Sequence, residues 1–256
     1  MAPHPIRAAA GADQMDLRKF TLICALGLVT AGCAAVDNQE AAAADDPLEP
    51  MNRTFFDLNQ RIDRHAILPA ATFYNDNVPA PARHGVHNFL TNLSGPVNFA
   101  NEILEAHFRK AGQVAARFVL NSTFGVAGIF DVASGAGLPA HDRDFGETLG
   151  TYGVPQGPYL VAPILGPTAV RDVSGNVVDG FFSPLYYLHL HYTGGQYVGL
   201  AEAAATGLDA RAANISTYND IQRASVDFYA TIRGLYRQRR DAQVADSPAK
   251  VELPDF

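Results

Sequence analysis

Apolar side chains recur at three- and four-residue spacing through much of this chain, the period of a helix that turns one face inward. Leu48, Met51, Phe55, Leu58 and Ile62 make one such stripe, and Ile221, Phe228, Ile232 and Leu235 make another near the far end. Val86, Phe89, Leu90 and Leu93 outline a third helix, Val97 to Leu104 a fourth, and Val114, Ala115, Phe118 and Val119 a fifth. Breaks such as Ser94-Gly95-Pro96 separate them. No alternating pattern of strand length appears, so the expected fold class is mainly α. From Gly125 to Pro184 glycine and proline are dense, and apolar pieces such as Tyr159-Leu160-Val161 and Ile164-Leu165 are short. A long stretch of that kind in a compact domain is usually functional, and it is expected to hold short helices and turns that line or border something.

The first part of the chain follows a different pattern. Arg18 and Lys19 precede an uncharged apolar run from Phe20 to Thr30, which ends in Ala31-Gly32-Cys33. That layout is a secretory signal peptide, and the run is shorter than the roughly 20 residues a membrane-crossing helix needs. Small residues immediately before a cysteine look like a lipobox, with Cys33 acylated and made the first mature residue; Thr30 stands where leucine is usual. The plainer alternative is an exported protein with a cysteine there by chance. The residues before Met15 fit no export signal, which makes Met15 a second candidate for the start. Cys24 lies in the segment that is removed, so no disulfide is expected in the mature chain. Ala34 follows Cys33 where an aspartate commonly holds lipoproteins at the inner membrane, and this favours the outer membrane. The expected organisation is a signal peptide at 1–32, a flexible tether at 33–45, one helical domain at 46–240, and a polar, disordered tail at 241–256.

Charge changes this picture in two ways. The formal net charge is −7, so no basic field recruits nucleic acid or anionic headgroups. Charged residues are 18% of the chain, against about 25% in ordinary soluble domains, and apolar residues reach 48%. The signal peptide accounts for part of that excess. The rest points to a surface partly in lipid.

The chemistry-bearing motifs weaken an enzymatic reading. The chain holds no Gly-x-Ser-x-Gly elbow, no His-Glu-x-x-His, and no phosphate-cradling loop ending in Lys-Ser or Lys-Thr. His84 with His87, or His189 with His191, could be proposed as metal ligands, but neither pair has a nearby cysteine or an obvious third ligand, and both read as solvated or interfacial. Asp142, Asp144 and Glu147 cluster around Arg143; a pair of acid and base groups is one reading and a solvated, salt-bridged loop the plainer one. No catalytic residue, metal or cofactor is assigned.

Four segments then add up to a family. They are Asp46-Pro-Leu-Glu-Pro-Met-Asn-Arg-Thr-Phe-Phe, the run from Phe145-Gly-Glu-Thr-Leu-Gly to Tyr159-Leu-Val-Ala-Pro, Gly166-Pro-Thr-Ala-Val-Arg-Asp, and Val178-Asp179-Gly180. Together they resemble the MlaA (VacJ) family of outer-membrane lipoproteins, from Asp46 to about Arg237. One departure is Pro50-Met51, where the family has glycine and an aromatic before Asn52-Arg53.

The resemblance implies a ring of helices lying in the outer membrane around an amphipathic channel and held by a trimeric porin. It implies removal of mislocalised phospholipid from the outer leaflet and its transfer to a periplasmic lipid carrier, a pathway that keeps the outer membrane asymmetric. By the same resemblance Cys33 is the lipid anchor, and Leu58 and Asn59 align with a pair that influences channel opening. Ile129 to Arg143, beginning with Ile129 and Phe130, aligns with a loop that gates lipid entry. Leu58 is explained equally well by core packing. Arg171 and Asp172 are candidates for headgroup or channel contacts, with a structural salt bridge as the alternative. Two other functions stay open, a lipoprotein-anchored envelope hydrolase and a purely structural porin-associated lipoprotein.

Overall fold

The computed structural model describes residues 46–191 and 196–245. The signal peptide at 1–32, Cys33, the tether at 33–45, the side chains of His189 and His191, and residues 246–256 lie outside the described residues.

The chain is mainly helical. Helix α1 (Glu49–Ile62) opens with Pro50 in its first turn, where a missing N–H costs nothing, so the Pro50-Met51 departure still enters a helix. It runs through a π-helical turn at Asp63–Ile67 into α2 (Leu68–Asn77). Then follow α3 (Ala80–Leu93), α4 (Gly95–Leu104), α5 (Phe108–Thr123) and the short α6 (Val132–Gly135). Next come α7 (Phe145–Thr151), strands β1 (Tyr159–Ala162) and β2 (Gly166–Ala169), and α8 (Val170–Phe182). Helices α9 (Pro184–His191), α10 (Gln196–Ala213), α11 (Ile215–Ala224) and α12 (Phe228–Val244) complete the order.

Three expectations need correction. The stripe from Ile221 to Leu235 is two helices, because Ser225–Asp227 breaks it and the Asp227 carboxylate caps α12 by accepting from the Ala230 amide at 3.1 Å. Helix α12 then continues to Val244, past the boundary expected at residue 240. The short apolar pieces around Val161 and Leu165 are an antiparallel hairpin, with Tyr159 opposite Ala169 and Ala162 opposite Gly166.

A small apolar core joins the first helix, the hairpin and the last helix. Phe56, Tyr159, Val161, Tyr229 and Ile232 are buried together, and the Phe56 and Tyr229 rings meet edge to face at 5.5 Å. Arg53 lies over the Tyr229 ring at 4.4 Å and pairs with Asp227, which fastens α1 to the start of α12.

Elsewhere the usual arrangement is reversed. On α4 the buried positions are Asn98, Asn101 and Glu102, while Phe99, Ile103 and Leu104 face outward. On α8 Arg171, Asp172 and Gly175 are buried, whereas Val170, Val173, Val177 and Phe181 form an exposed stripe. Even along α1 and into the π-helical turn the inward line is Asn52, Phe56 and then Asp63, and Met51 and Leu58 from the expected apolar stripe are exposed. Contiguous exposed apolar stripes such as that on α8 are rare on soluble monomers and mark a surface for lipid or protein. Among the described residues no helix is long and apolar enough to cross a membrane.

Candidate functional site

A polar cleft of about 170 Å³ opens between α3, α4 and α5. Asn88, Asn92, Asn98 and Asn121 line it with amides, and Arg117, Asp131, His87 and His141 supply its ionisable groups. Beside it lies a larger groove of about 390 Å³ whose walls are Pro81, Gly85, Ile129, Phe130 and Val132, with His84 at its side. Asn88 and Asp131 belong to both. Polar and apolar recesses thus share a wall, an arrangement suited to a molecule with a polar head and apolar tails.

The wall between them is the segment from Phe124 to Arg143, and α5 straps it down. Arg117 donates to the Asp131 carboxylate at 2.9 Å and to the Leu138 carbonyl at 2.5 Å. Asn121 donates to Asp131 at 3.0 Å and accepts from the Ala133 amide at 2.9 Å. Asp131 also caps α6 through the Ser134 amide. Burial acts to raise the Asp131 carboxyl, but the hydrogen bonds from Ser134, Asn121 and Arg117 bring it down to about 2. From the other side Asn88 donates to the Ile129 carbonyl at 3.1 Å. The turn before it is tight: Val126, Ala127 and Gly128 all have positive φ, an unusual state for the first two. Gly85 lets this segment approach α3, since a β-carbon there would stand 3.0 Å from Ile129. Ile129 and Phe130, singled out by the resemblance, are therefore the apolar lip of the groove.

The other expected site residues lie elsewhere. Asn59 holds the hairpin turn, donating to the Ala162 carbonyl at 2.9 Å and accepting from the Ile164 amide at 2.7 Å. Leu58 beside it is exposed, and neither residue lines the cleft or the groove. Arg171 and Asp172 are buried in an ionic network and line neither recess. Asp172 accepts from Arg240 at 2.8 Å and from Tyr236, while Arg171 donates to the Val154 carbonyl at 3.3 Å.

That network was the least visible part of the site region in the sequence. Arg240 grips Asp144 with both terminal nitrogens, at 2.6 and 2.9 Å, and reaches Glu147 at 3.2 Å. Arg143 pairs with Glu147 at 3.0 Å, and Thr148 donates to Asn101 and Glu105. Asp144 caps α7 through the Glu147 amide. The segment expected as a solvated loop thus contributes buried Arg143 and Glu147. Burial and then the Asp144 charge push the Glu147 carboxyl up to about 8, against the pull of Arg240 and Arg143. Burial also opposes ionisation of Asp144, yet the Arg240 pair and the Glu147 and Gly146 amides leave it below its usual range. A carboxyl pair separated in this way resembles an acid and base, but Arg240 holds both and neither lines the cleft or the groove. Asp-x-x-Glu at a helix start was the available sign that Asp144 is a cap.

Of the histidines, His87 pairs with Asp209 at 2.8 Å and His141 with Gln113 at 2.8 Å. Among the described residues no group of three or more His, Cys, Asp or Glu side chains converges to hold a metal ion.

Comparison with known proteins agrees with the resemblance read from the sequence. Residues 44–243 match the family described as MlaA lipoprotein. A protein of Haemophilus influenzae named intermembrane phospholipid transport system lipoprotein MlaA is 36% identical, covering 93% of this chain and 97% of its own. The protein of that name from Escherichia coli is 34% identical over 89% of this chain and 88% of its own. A solved structure described as the structural basis for maintenance of bacterial outer membrane lipid asymmetry superposes with a TM-score of 0.70 at 34% identity. It covers 78% of this chain and 98% of that one.

Proposed function

The chain belongs to the MlaA lipoprotein family, and from that premise we propose that it takes mislocalised phospholipid from the outer leaflet of the outer membrane and passes it to a periplasmic carrier. It makes and breaks no bond. The observation that carries this reading is the amide-lined cleft sharing Asn88 and Asp131 with an apolar groove, inside a fold whose outward helix faces are apolar.

The physical task is to move a charged head through a region of low dielectric, which is costly when the head is unpaired. Amide groups along a cleft replace water around the head, and the groove beside it accommodates acyl chain. The family arrangement, helices ringed around an amphipathic channel, supplies the surroundings this requires. Irregular backbone such as 124–143 is tolerated at membrane depth when it borders a cavity and its polar groups are satisfied. The bonds from Arg117 to the Leu138 carbonyl, from the Ala133 amide to Asn121 and from Asn88 to the Ile129 carbonyl serve that condition. In this reading Ile129 and Phe130 gate the groove, Cys33 carries the lipid anchor on the periplasmic side, and a trimeric porin holds the domain. Leu58 and Asn59 act on the opening at a distance, through the hairpin. Arg171 and Asp172 hold the frame and do not touch the head.

The test is to delete the gene and measure outer-leaflet phospholipid by surface-accessible acylation or phospholipase cleavage. Complementation uses wild type and Cys33→Ala. Accumulation reversed by wild type and not by Cys33→Ala is expected. Unchanged surface phospholipid on deletion overturns the transport reading and leaves a structural or hydrolytic lipoprotein.

A further inference from the structure

The β1–β2 hairpin ends in Pro163, Ile164 and Leu165, and it takes no part in the cleft or groove. Ile164 and Leu165 are 70% and 73% exposed, among the most exposed large aliphatic side chains of the described residues. Ile164 also has φ +69°, a left-handed conformation that a β-branched residue rarely takes. From Gly153 to Val170 the sequence contains no Asp, Glu, Lys, Arg or His.

The backbone around the tip is prepared for the same surroundings. Asn59 satisfies the Ala162 carbonyl and the Ile164 amide, and Asn52 does the same for the Tyr159 carbonyl and the Val161 amide, at 2.9 Å each. The Asn52 pair serves the buried core, but the Asn59 pair lies at the exposed turn, where water could have served instead; in hydrocarbon every backbone polar group must be satisfied within the protein. After Ala169 the chain enters α8, whose outward stripe Val170, Val173 and Val177 carries the uncharged surface onward.

We infer that the hairpin tip inserts Ile164 and Leu165 among the acyl chains of the bilayer and, through the Asn59 contacts, ties the position of α1 to that insertion. The occupant is lipid, because the uncharged, apolar tip continues into the uncharged outward stripe of α8 and offers a protein partner no charged side chain to recognise. The inference rests on the reading that this domain resides in a bilayer, which Val177 on α8 tests separately.

The chain contains no tryptophan, so a single introduced one reports its own surroundings. The full chain is reconstituted into phosphatidylethanolamine and phosphatidylglycerol vesicles with brominated acyl chains, carrying Leu165→Trp, Pro163→Trp or Val177→Trp; helical circular dichroism matching wild type qualifies each variant. The expected result is that the tip tryptophans emit to the blue, lose most of their emission to the brominated chains, and resist soluble acrylamide. Quenching of Val177→Trp by lipid, with the tip variants quenched by acrylamide instead, overturns the insertion and leaves the bilayer reading intact. Lipid quenching at no position overturns both. Shielding of the tip only after a porin is added overturns the lipid occupant in favour of a protein one.

Discussion

Asn52 and Asn59 stand two helical turns apart on α1, and each presents its side-chain amide to the hairpin as a peptide group would, one donor to a carbonyl and one acceptor to an amide. The first helix is thereby registered against the hairpin by polar contacts as well as by packing.

Removing either amide separates two effects. Asn52→Ala leaves the Tyr159 carbonyl and Val161 amide unpaired in the core, and each orphaned group costs about 1–3 kcal/mol. Asn59→Ala frees only the turn. Chemical denaturation should show a large loss for the first and a small one for the second, while amide exchange at Ile164 should quicken selectively in Asn59→Ala. Equal global losses would contradict this division.

Arg240 bonds Asp144, Glu147 and Asp172 together. Breaking a buried ion pair from one side costs about 3–5 kcal/mol, because the carboxylates remain buried without their partner. Arg240→Met should therefore unfold the domain more readily than Arg223→Met, whose pair with Asp220 is exposed. A comparable loss in both would remove the network from its structural role.

Glu147 gives the network a pH dependence. Its folded value of about 8 lies above the ordinary 4.5, so the native state holds the proton more tightly than the unfolded chain does. Stability from this group is complete below about 4.5 and is lost as pH rises through 8. Glu147→Gln should flatten the stability profile between those limits, measured by thermal melts across pH. A mutant profile as steep as the wild type would assign the slope to another group.

Asp131 behaves with the opposite sign. Its folded value of about 2 is below 3.8, so its contribution is present above 3.8 and is lost as pH falls through 2. At neutral pH the strap to Arg117 is intact, and Asp131→Asn should loosen residues 124–143 in exchange measurements while leaving the core of Phe56 and Tyr229 protected.

Gly85 tests the lip directly. A β-carbon there meets Ile129 at 3.0 Å, so Gly85→Val should displace the lip and change outer-leaflet phospholipid in complemented cells with little change in the melting of the remaining helices. By contrast Gly175→Ala, where a β-carbon would lie 2.4 Å from the Gly146 nitrogen, should destabilise the crossing of α7 and α8 by about 1–3 kcal/mol or more.

Helix existence was legible from spacing, as Val114 and Leu90 illustrate, because periodicity does not depend on the solvent. Which face turned inward was not, because the rule that apolar faces go in assumes water outside. Asn98, Asn101 and Glu102 defeat it on α4, and Arg171 and Asp172 defeat it on α8. Short strands escaped because four residues carry too little alternation, and because the amides pairing with β1 come from a helix more than a hundred positions away. The lip at Ile129 and Phe130 was legible only through family likeness. Its fastening by Arg117 and Asn121 needs distances that no spacing supplies.

An exterior of Val177, Phe181, Phe108 and Phe124 around an interior of paired charges changes what the word stability refers to. For most proteins water drives the chain to fold and also dissolves the product. On the proposed reading water drives the folding and is then a poor solvent for the result, so an outward Phe124→Ser should improve solubility in buffer while weakening partition into lipid. The same substitution has opposite signs in two media, and a ranking of variants made in detergent-free buffer will order them by the wrong criterion.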